Sequence, residues 1–252
     1  MAGAGGARLS LPWLAGLYDR ATSGPDYAAT PADERTIRLF GVDLPVRAST
    51  VLLVSTLLVV AEYTGALLPA GAGSATGADA ARIRAIERAI AFGVVPFLVV
   101  LLGFRDRPAR YGVQLGDWRW GAGLLVGGIV VMTPIILALS AVPSFRDYYG
   151  RPSGSLAGVV TNNLVELVPA EFLLRGFLLF PLLRRIGPLA IVVVQLPFVF
   201  SHIGKPEIEL YSTFLGGSVF AWLDWRTGSI LWSALGHAYV LTLMIVAVGG
   251  IT

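Results

Sequence analysis

Residues 156–183 read LAGVVTNNLVELVPAEFLLRGFLLFPLL. The stretch is mostly apolar and exceeds the roughly 20 residues, at 1.5 Å each, that a helix needs to cross a bilayer. Yet it contains Asn162, Asn163, Glu166, Glu171 and Arg175. A charged side chain at the bilayer centre costs about 2.5–3.5 kcal/mol on insertion scales. Three on one helix therefore demand polar partners, and mark a candidate site.

Six further stretches read as spans or come close: Ala48–Leu68, Ala89–Phe104, Gly121–Val142, Gly187–Ile203, Leu210–Leu223 and Ile230–Val248. The second and sixth of the seven are short; Arg88 and Arg105 are placed to snorkel and extend the second. Composition agrees with lipid as the solvent. Hydrophobic residues make up 55% of the 252 and charged residues 14%, against about 25% charged in soluble domains, and the mean hydropathy is +0.72. The expected fold is an all-α polytopic transmembrane bundle of about seven spans. Residues 1–47 form a polar N-terminal extension, 48–155 hold three helices, and 156–252 form a four-helix catalytic-type core. No signal-peptide-like apolar run precedes residue 48, so the extension reads as cytoplasmic, with Leu11, Trp13, Leu14 and Leu17 resting on the membrane surface.

The net charge of +3 is not read as a nucleic-acid signal, because the arginines cluster between apolar stretches as membrane topology requires. With the N-terminus inside, twelve basic residues fall on inner segments: Arg8, Arg20, Arg35, Arg38, Arg47, Arg105, Arg107, Arg110, Arg119, Arg184, Arg185 and Arg226. Six fall outside: Arg82, Arg84, Arg88, Arg146, Arg151 and Lys205. The positive-inside rule favours this orientation in the cell membrane. Gly123 and Gly127 form a Gly-x-x-x-Gly pair, read as a helix-packing face. The absence of cysteine removes disulfides and thiol chemistry.

The chain has two histidines, His202 and His237, both in the half that holds the intramembrane acids. Glu171 and Arg175 are spaced i, i+4, which suits a structural ion pair. Glu166 lies about 140° around the helix from Glu171 and needs a partner of its own; Asn163, one turn away, is the nearest. Two histidines and a carboxylate with a fourth position for water form a recognised catalytic zinc set, so His202, His237 and Glu171 are candidate metal ligands. The same groups can polarise water without a metal. Glu62 reads as a buried polar spot and Asp224–Arg226 as a loop pair, both outside the site.

Three segments resemble the motifs of the CPBP intramembrane proteases: PAEFLLRG (169–176), FVFSH (198–202) and TGSILWSALGH (227–237). That family includes the type II CAAX prenyl endopeptidases and the Abi-type bacteriocin-processing and immunity proteins. Its motifs read Glu-Glu-x-x-x-Arg, Phe-x-x-x-His and His-x-x-x-Asn/Asp, and the resemblance covers about residues 156–241. It implies an intramembrane endopeptidase of metallo- or glutamate type, with Glu171, His202 and His237 catalytic, zinc as a candidate cofactor, and a membrane peptide or lipidated protein as substrate. Ala170 stands where the family has its first Glu, the proposed water-activating base, and Leu241 stands where it has Asn or Asp. Glu166, one turn before Ala170, is the expected replacement base; Glu207 and Glu209, beside Lys205, are rivals. Two other classes remain open: a non-catalytic relative acting as an immunity, scaffold or peptide-binding protein, and a proton-coupled carrier, which the lack of an inverted repeat disfavours.

Overall fold

The computed structural model describes residues 16, 18–20, 22–67 and 75–251. Leu11, Trp13, Leu14 and Leu17, expected on the membrane surface, lie outside the described residues, as does Leu68 of the first stretch.

The N-terminal extension is not featureless. A short helix α1 (Pro31–Glu34) is followed by a hairpin of β1 (Thr36–Leu39) and β2 (Val42–Pro45), paired antiparallel with Arg38 opposite Asp43. Phe40 and Gly41 both take positive φ, as a tight two-residue hairpin turn requires. The hairpin leads directly into α2 (Val46–Tyr63). There Val51, Ser55 and Val59 are buried while Leu53 and Leu57 are exposed, so one face meets the protein and the other meets lipid.

The second helix, α3 (Gly77–Gly103), is 27 residues long. It absorbs Arg82, Arg84 and Arg88, which the sequence reading placed in a loop. Pro96 sits in its second half between two widened π-helical turns, Ala89–Val94 and Val99–Gly103. Proline supplies no N–H to the α-ladder, and π turns are a usual accommodation inside long helices. Helix α4 (Trp118–Leu139) follows, capped by Asp117, and then the short α5 (Pro143–Tyr149). Helix α6 (Leu156–Glu171) is capped by Ser155, contains Pro169, and passes into a π-helical segment, Phe172–Leu179, in which every residue is buried. Helix α7 (Phe180–Ile186) completes the descent. Gly187, at φ +60, turns the chain into α8 (Ala190–Val193) and α9 (Gln195–Phe200). Helices α10 (Glu207–Thr227) and α11 (Leu231–Ala247) close the bundle. Helix α11 packs against α4 and α6, and α3 packs against α6.

Among the described residues, four helical stretches are long and apolar enough to cross a membrane: Val46–Tyr63, Gly77–Gly103, Trp118–Leu139 and Leu156–Phe200. The last, 45 residues long, takes in two of the seven stretches expected from the sequence. The stretch expected at 210–223 lies in α10, whose Glu207, Glu209, Asp224 and Arg226 lower its hydropathy. The last lies in α11, which has 17 residues.

The Gly123–Gly127 face makes no close approach inside the chain, since a Cβ at either position would meet nothing within 4 Å. The tight contact lies two residues before Gly123. A Cβ on Gly121 would fall 2.2 Å from Trp232 Nε1, which locks α4 against α11.

The end of the bundle that carries residues 26–47, 104–117 and 224–230 is closed by polar contacts. Asp33 pairs with Arg47 at 2.8 Å, Arg110 at 2.7 Å and Arg184 at 3.5 Å. Asp106 pairs with Arg47 at 2.8 Å and Arg110 at 3.0 Å. Burial pushes the Asp33 carboxyl up, but hydrogen bonds from Thr30, Arg47 and Arg110 outweigh it and hold it well below the usual carboxylate range. The turn at 227–229 is sewn to residues 114–117: Asp117 N–H donates to Thr227 O, and Ser229 Oγ donates to Gln114 O at 2.5 Å. Gly116 has φ +58, and a Cβ there would lie 2.0 Å from Thr227 O, so only glycine fits. Tyr27 OH donates to Trp225 O at 2.7 Å, fastening the N-terminal segment over the seam.

Candidate active site

Glu171 ends α6 in the middle of the protein, fully buried, and both its oxygens are taken. Oε2 accepts from Arg175 Nη1 at 2.6 Å, and Oε1 is 2.6 Å from His237 Nδ1 on α11. The expected i, i+4 pair is therefore present, although Arg175 already lies in the widened π segment. The Arg175 guanidinium carbon sits 4.1 Å from the Phe198 ring centroid and 5.6 Å from that of Phe220. His237 contacts the same two rings, edge-on to Phe198 at 6.0 Å and tilted against Phe220 at 5.7 Å. Such a low-dielectric cage strengthens the ion pair inside it.

His202 lies in the turn after α9, against the other side of this arrangement. Its ring is 4.6 Å from Phe198, and its Nδ1 is 2.9 Å from Phe198 O. Each histidine thus has Nδ1 held and Nε2 available. His202 is within electrostatic reach of His237, Lys205 and Arg88, so Glu171, His202 and His237 are gathered in one region. Each Glu171 oxygen carries one contact, and among the described residues no group of three His, Asp or Glu is arranged to hold an ion.

Glu166 belongs to a neighbouring cluster. Arg88 donates to it through Nη1 and to Glu62 through Nε at 2.9 Å and Nη2 at 2.5 Å. Asn163 does not bond Glu166 as its spacing suggested; its Nδ2 donates to Thr242 Oγ1 at 2.8 Å across to α11. Glu166 lines a cavity of about 660 Å³, together with Glu62, Arg88, Asn162, Asn163 and Tyr149. Ser201 and Ile203, on either side of His202, also line it, as does Leu241, one turn beyond His237. Of the rival acids, Glu209 accepts from Tyr149 OH at 2.7 Å and from Lys205 at 2.8 Å, while Glu207 is exposed at the start of α10.

Three residues set aside in the sequence prove to be part of this polar interior. Glu62 shares Arg88 with Glu166. Asp224 is not paired with Arg226, which reaches Asp117 at 3.2 Å instead. It is fully buried, accepts from Ser233 Oγ at 2.9 Å, and lies within electrostatic reach of Glu171 and Arg175. Arg88 is the cation shared by Glu62 and Glu166 in the cavity wall rather than a snorkelling end residue. The available signal was the cost of each charge at membrane depth. Ala170 sits in the apolar core, so no acid occupies the family's first Glu position.

Comparison with curated proteins and with solved structures gives no significant match. Residues 152–243 match the family described as type II CAAX prenyl endopeptidase Rce1-like, and this segment, which holds Glu171, Arg175, His202 and His237, supports the assignment of the chain to the CPBP/CAAX protease family.

Proposed function

We propose that the chain is an intramembrane endopeptidase-like protein that hydrolyses peptide bonds close to the membrane surface. The observation that carries this reading is the 2.6 Å contact between Glu171 Oε1 and His237 Nδ1, with Glu171 Oε2 clamped by Arg175. A carboxylate on Nδ1 holds imidazole in the tautomer that leaves Nε2 as a proton acceptor. His237 Nε2 then takes a proton from water as the hydroxyl oxygen attacks the peptide carbonyl, and returns it to the leaving amine nitrogen. In this scheme Glu171 and Arg175 position His237, His202 faces the reacting water, and no step passes through a metal.

Glu166 is the rival base. It lines the cavity, and only its Oε1 is paired with Arg88. The candidate substrates are a lipidated C-terminus, a leader peptide or a C-terminal sorting tail.

A non-catalytic, peptide-binding role as an immunity or scaffold protein is the second reading. It is favoured by Ala170 in the apolar core and by Leu241 facing the cavity in place of an amide or acid.

Purified protein incubated with membrane peptides tests both readings. Cleavage at one bond is expected, reduced about 10²–10⁴-fold in His237→Ala and lost in His202→Ala. Cleavage that survives His237→Ala but not Glu166→Gln transfers the base to Glu166. No cleavage by the wild type, with peptide still bound, establishes the second reading.

A further inference from the structure

The large cavity and the closed polar seam lie at opposite ends of the bundle. The cavity is bounded by the end of α2 (Glu62, Tyr63), the beginning of α3, the segment after α5, the first half of α6, the turn holding Ser201 and Ile203, and the end of α11. Following the chain through α2, α3, α4, α6, α9 and α11, every one of these ends belongs to the same side. It is the side that carries six basic residues rather than twelve, hence the non-cytoplasmic side by the positive-inside rule. The opposite end has a second cavity of about 450 Å³, whose walls include Tyr27, Arg107, Phe180 and Arg184 but none of Glu166, Glu171, His202 or His237. Between that cavity and the buried motif residues stand the Asp33–Arg184 network and the stitched turn at 227–229.

The mouth of the large cavity also has a charge preference. Of its four lining cations, Arg88 is paired with Glu62 and Glu166, and Lys205 with Glu209. Arg84 and Arg151 are exposed and have no ion pair among the described residues. The two acids that line the cavity, Glu62 and Glu166, are committed to Arg88, and Arg84 and Arg151 are left over at the rim, with Glu87 the nearest further acid.

We infer that the site is served from the non-cytoplasmic face, and that its peptide is the membrane-anchored segment of an exported protein, bearing Asp or Glu on that side of its cleavage point. This rests on the peptide-hydrolysing or peptide-binding reading above, and it selects among its substrate classes: a tail or leader presented outside, not a lipidated C-terminus presented in the cytoplasm. A peptide entering this way passes Arg84 and Arg151 and reaches Asn162 and Glu166 in the cavity, whose wall at Ser201, Ile203 and Leu241 is flanked by His202 and His237 without being lined by them. Charge at the rim steers such a segment and rejects a basic one.

The lack of native cysteine makes the side directly measurable. Arg151→Cys and, as the inner control, Arg107→Cys are each placed in the full chain in intact cells and treated with a membrane-impermeant maleimide. Arg151→Cys is expected to label at once and Arg107→Cys only after permeabilisation; the reverse pattern overturns the inference. In parallel, p-benzoylphenylalanine at position 162 is irradiated with two single-span reporter peptides, one carrying an acidic juxtamembrane segment outside and the other carrying it inside. Cross-linking or cleavage of the outer reporter, weakened at least threefold when its acids become lysines or in Arg84→Glu/Arg151→Glu, is the expected result. Cross-linking of the outer reporter without cleavage keeps the inference and removes the catalytic reading. Capture of the inner reporter, or of neither, overturns the inference, whatever the accessibility pattern.

Discussion

The two ends of this bundle use the same side chains to opposite effect. At the end that carries residues 26–47, Asp33 and Asp106 are surrounded by Arg47, Arg110 and Arg184, the turn at 227–229 is bonded to 114–117, and Tyr27 lies across the join. At the opposite end, Glu62 and Glu166 share Arg88 beside a cavity of about 660 Å³ walled by amides, tyrosines and serines. The first arrangement satisfies charges by drawing segments together. The second satisfies the cation and leaves space that water can fill. A hydrolase in a membrane needs one of each, because an ion network without a cavity cannot admit a water and a cavity without closure on the far side leaks.

The comparison breaks most readily at Asp33. It accepts from Thr30, Arg47 and Arg110 and, among the described residues, is the carboxylate paired with Arg184. Removing one partner from a buried ion cluster costs about 3–5 kcal/mol, because the remaining charges lose compensation. Asp33→Ala is therefore expected to lower thermal stability in detergent by that amount, whereas Asn162→Ala in the cavity wall is expected to leave it nearly unchanged. Equal losses from the two substitutions would show that the cavity is part of the load-sharing core.

The next effect concerns the contact that holds α4 to α11, the helix carrying His237. Gly121→Leu drives a side chain into Trp232, and overpacking of this kind costs about 1–3 kcal/mol. A Cβ at Gly123 or Gly127 meets nothing within 4 Å, so Gly123→Leu and Gly127→Leu are expected to fall within about 0.5 kcal/mol of wild type. A large loss at Gly123, with a change in oligomeric state, would move the Gly-x-x-x-Gly face from spectator to interface between copies.

These substitutions also show what the sequence discloses. The candidate site was legible through cost: Glu171, Arg175, His202 and His237 stand out because apolar surroundings make each of them expensive; Glu171 meets Arg175 and His237 directly, and His202 packs on the Phe198 ring that Arg175 and His237 also contact. The same reasoning applied evenly would have retained Glu62, Arg88 and Asp224. They were set aside because each lies near the end of an apolar stretch, where solvation is a cheaper explanation, and no periodicity shows that α3 runs on to Gly77. The hairpin at 36–45 was hidden by its polar company, and the π turns by the assumption of 3.6 residues per turn. The Gly-x-x-x-Gly spacing named a face without its direction. Helix partners across the bundle, such as Asn163 with Thr242, are set by tertiary packing and have no local signature.

Acid sharpens the contrast between the two ends with the smallest perturbation. The Asp33 carboxyl is depressed in the folded protein, because the hydrogen bonds from Thr30, Arg47 and Arg110 outweigh the opposing effect of burial. A group whose folded pKa lies below its unfolded value binds protons more readily when unfolded, so its contribution is complete above the unfolded value and is lost as pH falls through the folded one. The unfolded value for aspartate is about 3.9. Stability of the wild type in detergent should therefore be level from neutral pH down to about that point and decline below it, with the decline absent from Asp33→Asn, whose amide cannot titrate. The loss should be smaller than that of Asp33→Ala, because a protonated carboxyl stays in place and keeps part of its hydrogen bonding. Melting curves of wild type and Asp33→Asn across pH 7 to pH 3 decide the matter. A wild-type decline that Asp33→Asn retains in full would assign the acid sensitivity to other carboxylates and leave the seal at that end held by packing rather than by charge.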